Sequence, residues 1–111
     1  MRRLEHELLE LVARRLQAIA EPTRIRLITL LEQREATVGE LTEELATTHQ
    51  NVSKHLGLLY QLGIVTRRKQ GNQVWYALSD YSTPRLIELA TASVTGRIEE
   101  LAGIAGLENS C

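Results

Sequence analysis

Between residues 4 and 20, apolar side chains return every three or four positions: Leu4, Leu8, Leu11, Val12, Leu16 and Ile19. That spacing predicts an amphipathic helix with one apolar stripe, and Glu5, Glu7, Glu10, Arg14 and Arg15 fill much of the remaining surface. Pro22 then interrupts. Proline suits the first turn of a new helix, where its missing amide hydrogen is not needed. This second helix is expected to run to about Glu32, burying Ile25, Ile28 or Leu27, and Leu31. Thr37-Val38-Gly39-Glu40 reads as a capping box that opens a short third helix with Val38, Leu41 and Leu45 on one side. Thr48 can cap a fourth helix carrying Val52, Leu56 and Leu59 and stopping near Gly63. Only about Ala46 and Thr47 separate the third and fourth helices, the spacing of a helix-turn-helix.

The period then changes to two. Ile64 to Lys69 and Gln73 to Leu78 are β-favouring runs joined by a hairpin tip at Gln70-Gly71-Asn72. Alternation puts Val74, Tyr76 and Leu78 on one face, with Gln73, Trp75 and Ala77 on the other. Thr83-Pro84 is expected to start a last helix, with Thr83 as N-cap, running from about 84 to 106. Its apolar stripe comprises Leu86, Leu89 or Ala90, Val94, Ile98 or the stem of Arg97, Leu101 and Ala105. The expected fold is mainly α (α+β). It is one domain over 1–111 with five helices and a two-stranded hairpin between the fourth and the last, the winged helix-turn-helix arrangement.

Composition alone argues against a nucleic-acid partner. The 111 residues hold 13 Lys and Arg against 14 Asp and Glu, for a net charge of −1. Position changes that picture. From Ala46 to Ser79 the chain carries Lys54, Arg67, Arg68 and Lys69 and no carboxylate, so the rest has nine basic and fourteen acidic residues. An acid-free helix and hairpin is what a polyanion-facing surface needs. The polar side chains of the fourth helix, Thr48, His49, Gln50, Asn51, Ser53 and Lys54, are donors or acceptors suited to base edges and phosphates. Arg67, Arg68, Lys69, Gln70 and Asn72 equip the hairpin for phosphates or the flanking groove. The expected partner is double-stranded DNA. A solvated helix face and hairpin is the plain alternative for the same residues.

Three stretches resemble the ArsR/SmtB family of bacterial transcription regulators. Ala20-Glu21-Pro22-Thr23-Arg24-Ile25-Arg26 is similar to its A-(D/E)-P-T-R-(L/I)-R opening, and Val52-Ser53-Lys54-His55-Leu56-Gly57-Leu58-Leu59 to its recognition helix. Leu62-Gly63-Ile64-Val65 and Gly71-Asn72-Gln73-Val74-Trp75-Tyr76-Ala77-Leu78 match its wing. The resemblance covers about residues 12 to 80. It implies a homodimeric repressor whose first and last helices pack together, placing two recognition helices on an inverted-repeat operator until a signal releases them. The two apolar stripes agree, because so small a core can hardly cover both. The expected interface residues are Leu4, Leu8, Leu11, Leu16, Leu86, Leu89, Val94, Ile98 and Leu101. Packing of the two helices within one chain is the alternative.

The resemblance breaks at the sensor. The family's Glu-Leu-Cys-Val-Cys-Asp-Leu metal box corresponds to Glu35-Ala36-Thr37-Val38-Gly39-Glu40-Leu41, with Thr37 and Gly39 in place of both thiolates. Asp80 stands near the start of the last helix, where other members bind zinc or nickel, but no histidine follows His55. No metal or cofactor is therefore expected, and the effector is open. His6 reads as a surface residue and His49 as DNA-facing. His55 reads as a hydrogen-bonded structural residue, Glu88, Glu99, Glu100 and Glu108 as a solvated acidic face, and Cys111 as an inert tail thiol. A metal-responsive regulator with an atypical site, and a winged-helix protein-interaction module without DNA binding, are the alternative functions. No Gly-rich phosphate loop, ordered Ser/His/Asp set or paired carboxylates point to catalysis. No run approaches the ~20 apolar residues that span a bilayer, and the opening residues lack a signal-type apolar stretch. A cytoplasmic location is expected.

Overall fold

The computed structural model describes residues 2–109, with side chains from Glu5 to Ile104. The side chains of Leu4, Ala105 and Glu108, and Cys111 altogether, lie outside the described residues.

Helix α1 (Arg2–Ile19) gives way to α2 (Pro22–Gln33) across a two-residue break. Pro22 takes the first helical turn as expected, and the Glu21 carboxylate accepts the Arg24 amide at 2.9 Å as N-cap. Leu27 and Ile28 are both buried, with Leu31, whereas Ile25 is only half-buried. The capping box forms: Thr37 Oγ1 accepts the Glu40 amide at 3.2 Å, and the Glu40 carboxylate accepts the Thr37 amide at 3.0 Å. It starts α3 (Val38–Leu45), which ends at Ala46 in the left-handed region (φ 51°), an uncommon conformation for a residue with a Cβ.

Thr48 caps α4 (His49–Gln61) through the Asn51 amide at 3.1 Å. Gly63 (φ 73°) stops it: the Ile64 amide donates to Leu59 and the Gly63 amide to Tyr60, the paired reverse bonds that close a helix end. The expected hairpin follows as β2 (Val65–Gln70) and β3 (Gln73–Leu78). Its turn is tighter than expected, because Gln70 still pairs with Gln73 and only Gly71 (φ 65°) and Asn72 turn the chain.

Two local expectations are corrected. A two-residue strand β1 (Ala36–Thr37) pairs antiparallel with β3, so the sheet has three strands in the order β1-β3-β2 rather than two. The last helix, α5 (Ser82–Asn109), begins before Thr83, which is buried in the first turn. Asp80 does the capping instead, accepting from the amide of Ser82 at 3.0 Å and from its hydroxyl.

One core holds α2, α3, α4 and the sheet together. It comprises Leu27, Ile28, Leu31, Leu41, Leu45, Val52, Leu56, Leu59, Ile64, Val65, Tyr76 and Leu78. The outer helices add little to it. α1 contributes Ala18 and Ile19, and α5 contributes its first turn and half-buried Ile87. Leu8, Leu9, Leu11, Val12 and Leu16 of α1, and Leu86, Leu89, Val94, Ile98, Leu101 and Ile104 of α5, are 41–66% exposed. The radius of gyration is 18.0 Å, where a compact domain of this length has about 13 Å.

Candidate nucleic-acid interface

Helix α4 divides cleanly. Val52, His55, Leu56 and Leu59 face the core, while Thr48, His49, Gln50, Ser53 and Lys54 are exposed along the opposite side. Asn51 is half-buried and donates its side-chain amide to Thr47 Oγ1 at 3.2 Å, so local structure already uses part of its hydrogen-bonding capacity. Gln50 has no such tie among the described residues.

Two arginines join α4 to the outer helices. Arg24 donates through Nε to the Ala18 carbonyl and through Nη2 to the Gln17 carbonyl at 3.3 Å, and its Nη1 lies 3.1 Å from His55 Nδ1. His55 is thus a buried, hydrogen-bonded part of the frame, also 3.7 Å from the Glu21 carboxylate. Burial raises the Glu21 pKa, but the Arg24 and Thr23 amides, with His55 and Arg24 nearby, outweigh it and hold the carboxyl below its ordinary range. At the C-terminal end of α4, Arg15 donates to the Leu62 carbonyl at 2.5 Å and to Asp80 at 2.8 Å. A cation at a helix C-terminus also complements the helix dipole. Asp80 is therefore engaged by Arg15 and Ser82; the Ser82 hydroxyl, more than any other group, keeps its pKa low.

The wing's basic residues do not share one environment. The Arg67 guanidinium lies over the Tyr60 ring of α4, 4.1 Å from its centroid. Lys69 is exposed and makes no ion pair among the described residues. Arg68 pairs with Glu35, Nη2 to Oε1 at 2.5 Å and Nε to Oε2 at 3.2 Å, and donates to Gln70 at 2.6 Å. The Arg68 hydrogen bond to Glu35 is the main reason that the Glu35 carboxyl lies below its ordinary range. The acid-free stretch thus acquires a carboxylate in space that it lacks in sequence.

His6 is exposed on α1, 3.3 Å from Glu10. Among the described residues, no three His, Cys, Asp or Glu side chains are grouped to hold a metal ion. The position of the family's metal box is occupied by the cap of α3. An open apolar groove of about 580 Å³, lined by residues including Leu16, Ile19, Ile25, Leu86 and Val94, runs between α1, α2 and α5. No helix among the described residues is long and apolar enough to cross a membrane.

The links from Arg15, Arg24 and Glu35 are absent from the expectations above. Arg24 lies in the opening motif, and period-two alternation already separates Arg68 from its neighbours, but neither signal names a partner.

Residues 19–68 match a helix-turn-helix domain family. The biofilm growth-associated repressor of Agrobacterium fabrum is 39% identical over 77 residues, covering 69% of this chain and 66% of the repressor. The transcriptional activator HlyU of Vibrio cholerae is 35% identical over 74 residues, 67% of this chain and 68% of the activator. The aligned stretch thus spans about two thirds of each relative. Among solved structures, the homodimeric winged helix-turn-helix DNA-binding domain of a possible ArsR-family transcriptional regulator from Mycobacterium bovis superposes with a TM-score of 0.76. It is 26% identical, over 86% of this chain and 89% of that one. Relatives and fold together converge on a non-enzymatic class. The chain belongs to the ArsR/SmtB family of winged helix-turn-helix DNA-binding transcriptional regulators.

Proposed function

We propose that the protein is a cytoplasmic, homodimeric repressor that binds an inverted-repeat operator and leaves it on a signal. The dimer forms through α1 and α5, using Leu4, Leu8, Leu11, Leu16, Leu86, Leu89, Val94, Ile98 and Leu101. The observation that carries this reading is the pair of exposed apolar stripes on two helices that stand off the core, beside a helix and hairpin without acids of their own. An apolar surface this continuous is what a second copy covers in an isologous, two-fold contact.

Each recognition helix α4 enters the major groove. Gln50 reads a base edge, with Asn51 in a lesser role because part of its side chain is spent on Thr47. Thr48, His49, Ser53 and Lys54 position the helix on phosphates, and Arg67, Arg68, Lys69, Gln70 and Asn72 bring the wing to the flanking backbone. Arg24 and Arg15 transmit the placement of the outer helices to the middle and the C-terminal end of α4. The repressor of Agrobacterium fabrum supports repression as the output.

The test is a binding titration on a duplex selected from a random pool, repeated from low to high salt. The logarithm of the affinity should fall linearly with the logarithm of salt, because phosphate contacts release counterions. Absence of binding, or binding indifferent to salt, would overturn the reading.

A further inference from the structure

A strand turns successive side chains to opposite faces, so three consecutive cations on β2 cannot act alike. The register sets Arg67 opposite Tyr76, on the face that carries the buried residues Val65, Tyr76 and Leu78. Lys69 shares that face by alternation. Arg68 stands opposite Trp75 on the other face, its guanidinium 5.8 Å from the centroid of the Trp75 ring. There Glu35, the residue just before β1, meets it with both carboxylate oxygens, and the Gln70 side chain accepts from the remaining terminal nitrogen. Every nitrogen of the Arg68 guanidinium is thus engaged within the chain. Among the described residues, Glu35 is the only acid paired to a cation of the wing.

The pair is also open to water, with side chains 50% and 41% exposed. An ion pair at that exposure has a small net worth, and a phosphate offers arginine the same two-pronged geometry that Glu35 does. Resting on the reading of the wing as a DNA-contacting element, we propose that Glu35 is an intramolecular stand-in for DNA phosphate. It holds Arg68 on the outer face of the free wing and yields it when the wing meets a duplex backbone. The charges of Arg67 and Lys69 have no carboxylate beside them among the described residues, whereas that of Arg68 is compensated by Glu35 until the wing meets DNA. Glu35 thereby lowers affinity for any duplex, and a random one reads the effect most directly because backbone contacts supply nearly all of its binding.

The test compares wild type, Glu35→Gln, Arg68→Ala, the double variant and Glu32→Gln on a random-sequence duplex across a potassium chloride series. Glu32 is an exposed carboxylate on α2 that controls for the change in net charge. Glu35→Gln should bind about two- to five-fold tighter per wing, the range that an exposed ion pair can supply. Its log–log salt slope should stay close to that of wild type, because Arg68 reaches a phosphate in both, whereas Arg68→Ala should flatten the slope by about 0.9 per wing. Glu32→Gln should gain less, and the gain of Glu35→Gln should vanish in the Arg68→Ala background. Unchanged affinity would remove Arg68 from the interface. Weaker binding with an unchanged melting temperature would make the pair a strut that orients the wing. An equal gain in the Arg68→Ala background would reduce the effect to net charge. Each of these overturns the proposal. A wild type that shows no salt-dependent binding overturns the DNA reading itself, and that arm is read first.

Discussion

The helix-turn-helix body and the two outer helices carry the same kind of sequence pattern and opposite structural outcomes. Leu27, Leu56 and Leu59 are wholly buried, while Leu8, Leu11, Leu89 and Ile98, on stripes of the same spacing, are more than half exposed. Periodicity therefore names the apolar face of a helix and leaves open what covers it. In the body the cover is intrachain: α2, α3, α4 and the sheet close on one another. For α1 and α5 a single chain supplies no equivalent layer, and the cover in our account is the second copy.

Substitutions on the two kinds of stripe separate these roles. Leu56→Ala should cost about 2–5 kcal/mol of folding stability, as large-to-small changes in closed cores do, measured by chemical denaturation. Leu89→Glu should leave secondary structure intact but halve the mass in solution at micromolar concentration, with loss of operator binding. A dimeric Leu89→Glu protein would place the interface elsewhere. Gln50→Ala should reduce discrimination between selected and random duplexes by about 1–3 kcal/mol, the worth of one two-pronged base contact, without changing mass or melting temperature.

Smaller effects fall at the joints between body and outer helices. Asp80→Ala removes the cap of α5 and the partner of Arg15, and should cost about 1–2 kcal/mol in thermal unfolding. Its pH signature has a definite sign. The carboxyl is held below its ordinary value, chiefly by the Ser82 hydroxyl. It therefore stabilises the fold above the unfolded pKa and loses that contribution as pH falls below about 4. The acid limb of the stability curve should flatten in the variant. Smallest of all, Ala46→Gly should stabilise by about 0.5 kcal/mol, because relief of the left-handed alanine exceeds the added chain entropy.

Much of the body was legible in the sequence because its signals are local. The Thr37–Glu40 box, the Thr48 cap, and the glycines at 63 and 71 each act within a few residues of themselves, and each sits where a turn or helix end demands it. What escaped is not local. Strand β1 is two residues long and has no period to detect; it exists because Trp75 and Tyr76, far along the chain, offer it an edge. Thr83 followed by Pro84 imitates a helix start, yet Asp80 lies two residues ahead of Ser82 and satisfies its amide from outside the helix. The candidate interface shows the same division. The polar face of α4 follows from helical spacing, whereas the bond from Glu35 to Arg68 joins residues 33 apart and depends on the sheet. Charge counted along the chain missed that partner, since Glu35 lies outside the acid-free stretch and reaches the wing only in space.

The central claim is that two copies, joined through α1 and α5, present paired α4 helices to one duplex. Its most direct test is selection of DNA from a random pool, followed by base-resolution footprinting and the mass of the complex. The account predicts one dimer on an inverted repeat, with half-site centres one helical turn, about 10 base pairs, apart, and backbone protection outside each half-site from the wings. A single asymmetric site occupied by one chain, or no enriched sequence at all, would contradict it.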